Sequence, residues 1–159
     1  MTSRPESKSK PFAARHRKAA ETRAAILRAA ADIFSRAGLA GARTDAITQA
    51  ARVNKALLYY YFKSKDDLYG AVLEDHLGEF SQRALEILAA RDSARAVVLR
   101  YVSMHFDFIS ARPYYPTLFQ RFMMTGGRTF ERLARKYFVP VGRAFIAVIE
   151  RGARAREFR

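Results

Sequence analysis

The chain has 159 residues and carries 29 Lys and Arg side chains against 15 Asp and Glu, which gives a formal net charge of +14. Half of the residues are apolar, which excludes intrinsic disorder, and no apolar run is long enough for a membrane span or a secretory signal. The sequence has no cysteine, which excludes disulfides, thiolate metal sites and cysteine nucleophiles. We therefore expect a folded protein of the cytoplasm.

The positive charge is concentrated in the first part of the chain. Residues 1–65 contain 14 basic and 4 acidic side chains, whereas residues 66–159 contain 15 and 11. Such a basic segment favours a polyanionic partner, because Lys and Arg that contact phosphates release condensed counterions. An anionic membrane surface is the competing interpretation, and it would require a basic helix with an apolar face free for lipid.

The first predicted elements are an arm and a helix. Residues 1–18 combine Pro, Ser and basic residues with little apolar periodicity, which predicts a flexible basic arm. From Ala19 onward, apolar residues such as Ile26 and Phe34 recur at helical spacing. They predict a first helix that ends at Gly38.

Two short helices follow, and about three residues separate them. Thr44 is a candidate N-cap of the first, and Asn54 is a candidate N-cap of the second. This spacing is typical of a helix-turn-helix, with residues 19–65 forming the complete three-helix unit.

The second short helix divides into two faces on a wheel of about 100° per residue. Leu58, Tyr61 and Phe62 fall on the inner face, which predicts that they pack in the core. The outer face offers small, apolar, phenolic and basic side chains, which suit a DNA major groove: Lys55, Ala56, Leu57, Tyr59, Tyr60 and Lys63. The adjacent tyrosines are equally compatible with single-stranded RNA.

Helical patterns continue to the C-terminus. A long helix is predicted from Ser64 to about Ala90, followed by one from about Ala94 to Ser110. Three more helices should follow, and the last of them begins near Pro140. No strand pattern is present, so we predict an all-α fold.

Catalytic signatures are absent from the sequence, which lacks the common nucleophile, zinc, P-loop and dinucleotide motifs. Asp75 and His76 could meet His105 and Asp107 if two helices brought them together, but core or surface histidine is the simpler explanation. We predict neither an enzyme nor a metal or cofactor site.

The segment from Thr22 to about Glu74 resembles the N-terminal domain of the TetR family of bacterial transcriptional regulators. The similarity lies in T-R-x-x-I-L-x-A-A-x-x-x-F-x-x-x-G, followed by I-x-x-A-A-x-V-N-K-x-x-L-Y-Y-Y-F-x-S-K. Arg52 stands where the family usually has Gly, and Thr48 where it usually has Ala. We expect a left-handed backbone at Arg52, at a cost of about 1 kcal/mol or more.

The resemblance implies a DNA-binding regulator, most often a repressor that a small molecule releases from a palindromic operator. The alternative is a helical interaction module that binds RNA or an anionic membrane surface. Together with the wheel, the resemblance gives this set of DNA-contacting residues: Thr44, Arg52, Lys55, Ala56, Leu57, Tyr59, Tyr60, Lys63 and Lys65.

By the same resemblance, residues 66–159 correspond to a helical effector-binding and dimerisation domain. Its many aromatic residues indicate either plain core or a cavity for an apolar ligand, because both use the same residue types. We expect a largely apolar or aromatic effector, with Arg112 or Arg121 as the partner of any acidic group. The predicted pocket residues are Tyr101, His105, Phe108, Arg112, Phe119, Phe122 and Phe145.

Family members usually form a homodimer through two C-terminal helices. This sequence contains the first of these two helices and lacks the second. We therefore expect a weak, concentration-dependent homodimer that is prone to aggregation. The apolar stripe predicted for the interface consists of Val141, Phe145, Val148 and Ile149.

Overall fold

The computed structural model describes residues 10–125 and 127–158, and within these ranges it contains helices, turns and loops but no strand. The predicted all-α fold is confirmed. None of the described helices is both long and apolar enough to cross a membrane. The helices are α1 (Lys10–Gly41), α2 (Thr44–Ala51), α3 (Lys55–Tyr61), α4 (Lys65–Leu88), α5 (Ala94–Ser110), α6 (Tyr115–Thr125), α7 (Gly127–Leu133) and α8 (Val139–Arg154).

Helix α1 extends beyond the predicted first helix at both ends. Residues 10–18, which we predicted as part of a flexible arm, are helical. Ala, Arg and Lys favour a helix there, and Arg17 pairs with Glu21 one turn later at 3.7 Å. Residues 1–9 of the predicted arm lie outside the described residues. Gly38 adopts φ 68° and ψ 177°, which are not helical, so the first helical segment ends at the predicted residue and a short second segment continues after a kink to Gly41.

Two apolar clusters hold the helices together, and α4 contributes to both. The first joins α1, α2, α3 and the first half of α4, with Phe34, Ile47 and Leu58 fully buried. It also takes in Leu118 and Phe122 of α6. The N-terminal core therefore reaches past residue 65 into both α4 and α6.

The second cluster fills the space between the end of α4, α5, α6 and α8. Phe80 of α4, Val97 of α5 and Val148 of α8 are among its buried members. The bounds of α5 match the prediction. The hydroxyl of Ser64 accepts a hydrogen bond from the backbone N–H of Asp67 at 3.0 Å, as expected for the N-cap of α4.

Helices α7 and α8 are joined by a π-helical turn over Ala134–Phe138. A π turn closes its hydrogen bonds over one more residue than an α turn. The hydroxyl of Ser81 on α4 donates to the backbone carbonyl of Tyr137 at 3.4 Å, so the turn is held against α4. Pro140 lies in the first turn of α8, where its missing N–H removes no hydrogen bond.

Candidate nucleic-acid interface and effector cavity

The turn between α2 and α3 is closed by a left-handed residue, as predicted. Arg52 has φ 55° and ψ 44°, and its N–H donates to the carbonyl of Gln49 at 3.2 Å. The N–H of Val53 donates to the carbonyl of Thr48 at 3.0 Å. Thr48 is buried, and its hydroxyl donates to the carbonyl of Asp45 at 2.9 Å. The two departures from the family pattern are therefore accommodated without an unsatisfied polar group in the turn.

Helix α3 presents two different faces, which confirms the division made on the helical wheel. Leu58 is fully buried, whereas Tyr60 is 80% exposed and Tyr59 is 43% exposed. Asn54 caps the helix, because its side-chain oxygen accepts a hydrogen bond from the N–H of Leu57 at 2.7 Å. The cap and the buried anchor fix α3 so that the phenols of Tyr59 and Tyr60 point away from the core.

Two of the predicted DNA-contacting lysines have partners within the chain. The ammonium of Lys55 lies 2.9 Å from the carboxylate of Asp45. This hydrogen bond lowers the pKa of Asp45 and raises the pKa of Lys55, so both stay charged at neutral pH. The ammonium of Lys65 donates to the carbonyls of Ala40 and Ala42, each at 3.2 Å. Lys65 thus ties the start of α4 to the end of α1, and one of its three N–H bonds is left for another acceptor.

The N-terminus of α2 differs from the prediction by one residue. The helix begins at Thr44, so the N-cap is Arg43 and not Thr44, and the Arg43 side chain makes no capping hydrogen bond. Arg43, Thr44, Tyr59 and Lys65 line a shallow notch beside this helix end. Two cations and a helix N-terminus meet there, which suits a phosphate. Asp45 also lines the notch, and its carboxylate is paired with Lys55. Sequence reasoning missed Arg43, although a cation directly before a helix was visible.

A cavity of about 430 Å³ lies between α4, α5, α6, the π turn and α8. Three of the seven predicted pocket residues, Tyr101, His105 and Phe119, line it. Sequence reasoning did not select Pro116 and Gly142, which carry no aromatic or polar signal. The full wall consists of Phe80, Tyr101, His105, Ile109, Tyr115, Pro116, Phe119, Phe138, Val141 and Gly142.

Three predicted aromatic residues lie outside this wall. Phe108 is buried behind it, where its ring packs edge-on against Phe80 and Tyr115 at 5.3 and 5.1 Å. Phe145 packs against the ring of Tyr101 at 5.2 Å. Phe122 belongs to the N-terminal core. These three residues therefore do not line this cavity. Helical periodicity does not show which of several aromatic residues a crossing helix covers.

The predicted partners of an acidic group are also placed elsewhere. One amino group of Arg112 donates to both carboxylate oxygens of Glu79 at 2.6 and 2.7 Å, and the guanidinium lies 4.1 Å from the centre of the Phe108 ring. Arg121 donates to the backbone carbonyl of Arg36 at 3.3 Å, beside the kink in α1. Neither arginine lines the cavity.

His76 of α4 is buried between the α5–α6 connection and the start of α6. It is 7% exposed, and its ring lies 5.5 and 6.1 Å from the rings of Tyr114 and Tyr115. Its Nδ1 atom is buried without a hydrogen-bond partner. Burial lowers the pKa of His76, and the charge of Arg112 acts in the same direction, whereas Asp75 and Glu79 act against it.

We expect the free energy of unfolding to decrease between about pH 7.5 and about pH 5.5, and His76→Phe to reduce this decrease. The stability that neutral His76 contributes is fully present above its ordinary pKa of 6.5 and is lost as the pH falls toward the lowered value. Denaturant titration at several pH values measures the effect. An acid dependence that His76→Phe leaves unchanged would contradict this account.

Comparisons with known proteins agree with this geometry. Residues 26–72 match the family model described as bacterial regulatory proteins, tetR family. The chain is 31% identical over 104 residues to the HTH-type transcriptional repressor NicS of Pseudomonas putida, which covers 65% of this chain and 49% of NicS. It is 33% identical over 112 residues to the HTH-type transcriptional regulator RutR of Escherichia coli, which covers 70% of this chain and 52% of RutR. The chain thus spans about half the length of these relatives.

A solved structure gives the same answer for the fold. The transcriptional regulator FadR from Bacillus subtilis, in complex with stearoyl-CoA, matches with a TM-score of 0.70 at 18% identity. The match covers 85% of this chain and 73% of FadR. At this identity the likeness shows the fold alone.

Proposed function

We propose that this chain, which belongs to the TetR family of bacterial regulatory proteins, is a sequence-specific transcriptional regulator of the cytoplasm. In this proposal it is a repressor, and a small-molecule effector releases it from its operator. Helix α3 carries this proposal. It is anchored by the buried Leu58 and capped by Asn54, and it holds Tyr60 outward at 80% exposure. A short, rigid helix with a protruding polar and apolar face is what readout in a major groove requires.

The proposed contacts divide into two groups with different consequences. Ala56, Leu57, Tyr59 and Tyr60 are assigned to base edges, because they lie on α3 and carry no formal charge. The hydroxyl and basic groups are assigned to phosphates, which fix the position of the domain without selecting a sequence: Thr44, Arg52, Lys55, Lys63 and Lys65.

We assign the 430 Å³ cavity to the effector. Helix α6 supports this assignment, because Pro116 and Phe119 line the cavity while Leu118 and Phe122 of the same helix lie in the N-terminal core. A ligand that shifts α6 therefore also acts on the packing of α1 and α4. Such a shared element is what a coupling between effector and operator affinities requires.

Salt titration tests the DNA proposal. With an operator selected from a randomised duplex pool, log affinity should fall linearly with log salt, with a slope of about −0.9 per phosphate contact. Arg52→Gly should make the slope shallower by about 0.9. The same substitution should leave the free energy of unfolding unchanged or raise it by about 1 kcal/mol, because Gly adopts the left-handed backbone without strain. The reason is that Arg52 adds a cation at the cost of backbone strain.

Two competitor ligands decide between the candidate partners. Single-stranded RNA of the same length and vesicles of anionic phospholipid are titrated under the same conditions. Tighter binding to either of them than to the selected duplex, or a flat salt dependence with the duplex, overturns the DNA proposal.

We also propose a homodimer that forms through the outer side of α8. Val139, Ile146 and Ile149 of α8 are 41%, 57% and 38% exposed. The interface stripe predicted from the sequence was largely wrong, because Val141 and Val148 are buried inside the subunit, and Phe145 packs against Tyr101. Of that stripe only Ile149 is on the exposed side. A palindromic operator needs two recognition helices about 34–36 Å apart, a spacing that a dimer interface sets.

Ile146→Glu is expected to raise the dissociation constant of the dimer at least about tenfold, because it places a charge in an apolar interface. Sedimentation velocity over a range of concentrations measures it. Leu99→Glu is the matched control, since Leu99 is an apolar residue of α5 that is 59% exposed. If both substitutions, or neither, change the dissociation constant, α8 is not the interface.

A further inference from the structure

The wall of the effector cavity has a simple chemical composition. Its aliphatic and aromatic side chains are interrupted by three polar groups, the phenols of Tyr101 and Tyr115 and the imidazole of His105. Among the side chains that the structure describes, the wall contains no Lys, Arg, Asp or Glu. Burial raises the pKa of Tyr115 to about 12 and also raises the pKa of Tyr101, so both phenols are neutral at physiological pH.

Several cations lie close to wall residues in the sequence, but none of them lines the cavity: Arg112, Arg132, Lys136 and Arg143, of which Arg143 follows Gly142 and is exposed. Arg112 is 19% exposed and forms its ion pair with Glu79 at 2.6 Å, and it covers the ring of Phe108. Arg132 and Lys136 both pair with Glu74, at 2.7 and 3.3 Å. A carboxylate or phosphate placed deep in the cavity would therefore lose hydration without meeting an arginine or lysine, which is unfavourable.

Two of the three polar groups lie together on one side of the cavity. Tyr101 and His105 are one turn apart on α5, so they share a face of that helix. The aromatic walls are on other helices, where the rings of Tyr115 and Phe119 stack at 5.7 Å with an angle of 23°. Phe138 meets Phe119 edge-on at 5.7 Å. Flat faces and edges of this kind bind an aromatic ring, and the phenol and imidazole bind one polar substituent.

We propose that the effector is an uncharged, compact aromatic molecule with a single hydroxyl or carbonyl group, which hydrogen-bonds to Tyr101 and His105. The cavity volume of about 430 Å³ is toward the small end of ligand pockets, which span roughly 300–1,000 Å³, and it suits a molecule of about two fused rings. The inference rests on the proposed function, since it treats this cavity as the effector site. It replaces the expectation of an arginine partner for an acidic group.

Three probes of one shape test the inference on the full chain by isothermal titration calorimetry near pH 7: naphthalene, 2-naphthol and 2-naphthoate. We expect 2-naphthol to bind best and 2-naphthoate at least about tenfold more weakly, because its charge is buried without a partner. Tyr101→Phe should weaken 2-naphthol several-fold and leave naphthalene unchanged. Equal or tighter binding of 2-naphthoate, or no binding of any probe, overturns the inference.

Two glycine variants show whether the probes occupy this cavity. Gly142 lines the cavity and Gly70 lies on α4 outside its wall, and a Cβ atom at either position would have no neighbour within 4 Å. Gly142→Leu should abolish binding of 2-naphthol, and Gly70→Leu should leave it unchanged; the opposite pattern rejects the site. Duplex binding without any probe is measured in parallel. If no probe binds but the protein still binds the duplex, only the proposed ligand class is wrong. If the probes bind but the duplex does not, the proposed function is wrong.

Discussion

Replacing Tyr60 by Ala is expected to weaken binding to the selected operator by about 1–3 kcal/mol, roughly 5- to 150-fold, while binding to unrelated duplexes changes little. Tyr60 is 80% exposed, and its ring meets the edge of Tyr61 at 5.3 Å. Its removal therefore takes away a contact to a base without opening the core. Fluorescence anisotropy with operator and unrelated duplexes measures the two affinities, and denaturant titration shows that the free energy of unfolding is preserved.

Tyr61→Ala is the matched control for this substitution. Tyr61 is the neighbouring phenol, but it is half-buried and packs against the N-terminal core. We expect its loss to lower the free energy of unfolding by about 1–2 kcal/mol, with no selective effect on the operator. If Tyr60→Ala weakens operator and unrelated duplexes by the same factor, Tyr60 contacts the DNA backbone and the assignment to base edges is wrong.

Lys65→Ala should lower both the stability of the protein and its affinity for all duplexes. The ammonium of Lys65 donates to the carbonyls of Ala40 and Ala42, so its loss leaves both acceptors at the end of α1 without this partner. We expect the free energy of unfolding to fall by about 1–2 kcal/mol, since one of the two bonds is solvent-exposed. Affinity for every duplex should fall with it, because a phosphate anchor carries no sequence information. Denaturant titration and anisotropy give the two values.

Lys63→Ala separates the two roles of Lys65. Lys63 is exposed on the same basic segment and is assigned only to a phosphate. Its removal should weaken all duplexes while the free energy of unfolding stays within about 0.5 kcal/mol of the original. An altered sequence preference in Lys65→Ala would contradict the assignment to a phosphate. Unchanged stability would show that the ammonium does not tie α1 to α4 in solution.

The N-terminal half could be predicted from the sequence largely because local rules determine it. The caps at Asn54 and Ser64 each follow from a few adjacent residues. The left-handed backbone of Arg52 was expected from the family resemblance, because Gly usually stands at that position. The two faces of α3 follow from helical periodicity alone. One local signal was misjudged, since residues 10–18 were assigned to an arm although their Ala, Arg and Lys content favours a helix.

The cavity could be predicted only in part, because its wall depends on how distant helices cross. The aromatic content of the second half indicated a pocket or a core, yet Phe108 and Phe145 are covered by neighbours. Arg112 is bound by Glu79, which lies 33 residues earlier in the chain. No pattern in one sequence shows such a pairing, and it changes the expected charge of the ligand.

The π turn at Ala134–Phe138 sets the rotational phase of everything that follows it. An α-helix rotates by about 100° per residue, so one extra residue turns α8 by that angle relative to an uninterrupted continuation of α7. In the present phase Val148 faces inward at 3% exposure, and Ile149 faces outward at 38%. Deletion of one residue from the turn would bring Gly142 to the inner place of Val141 and Ile149 to that of Val148. A single extra residue in the turn thus determines both which side chains of α8 close the cavity and which are exposed on the proposed dimer face.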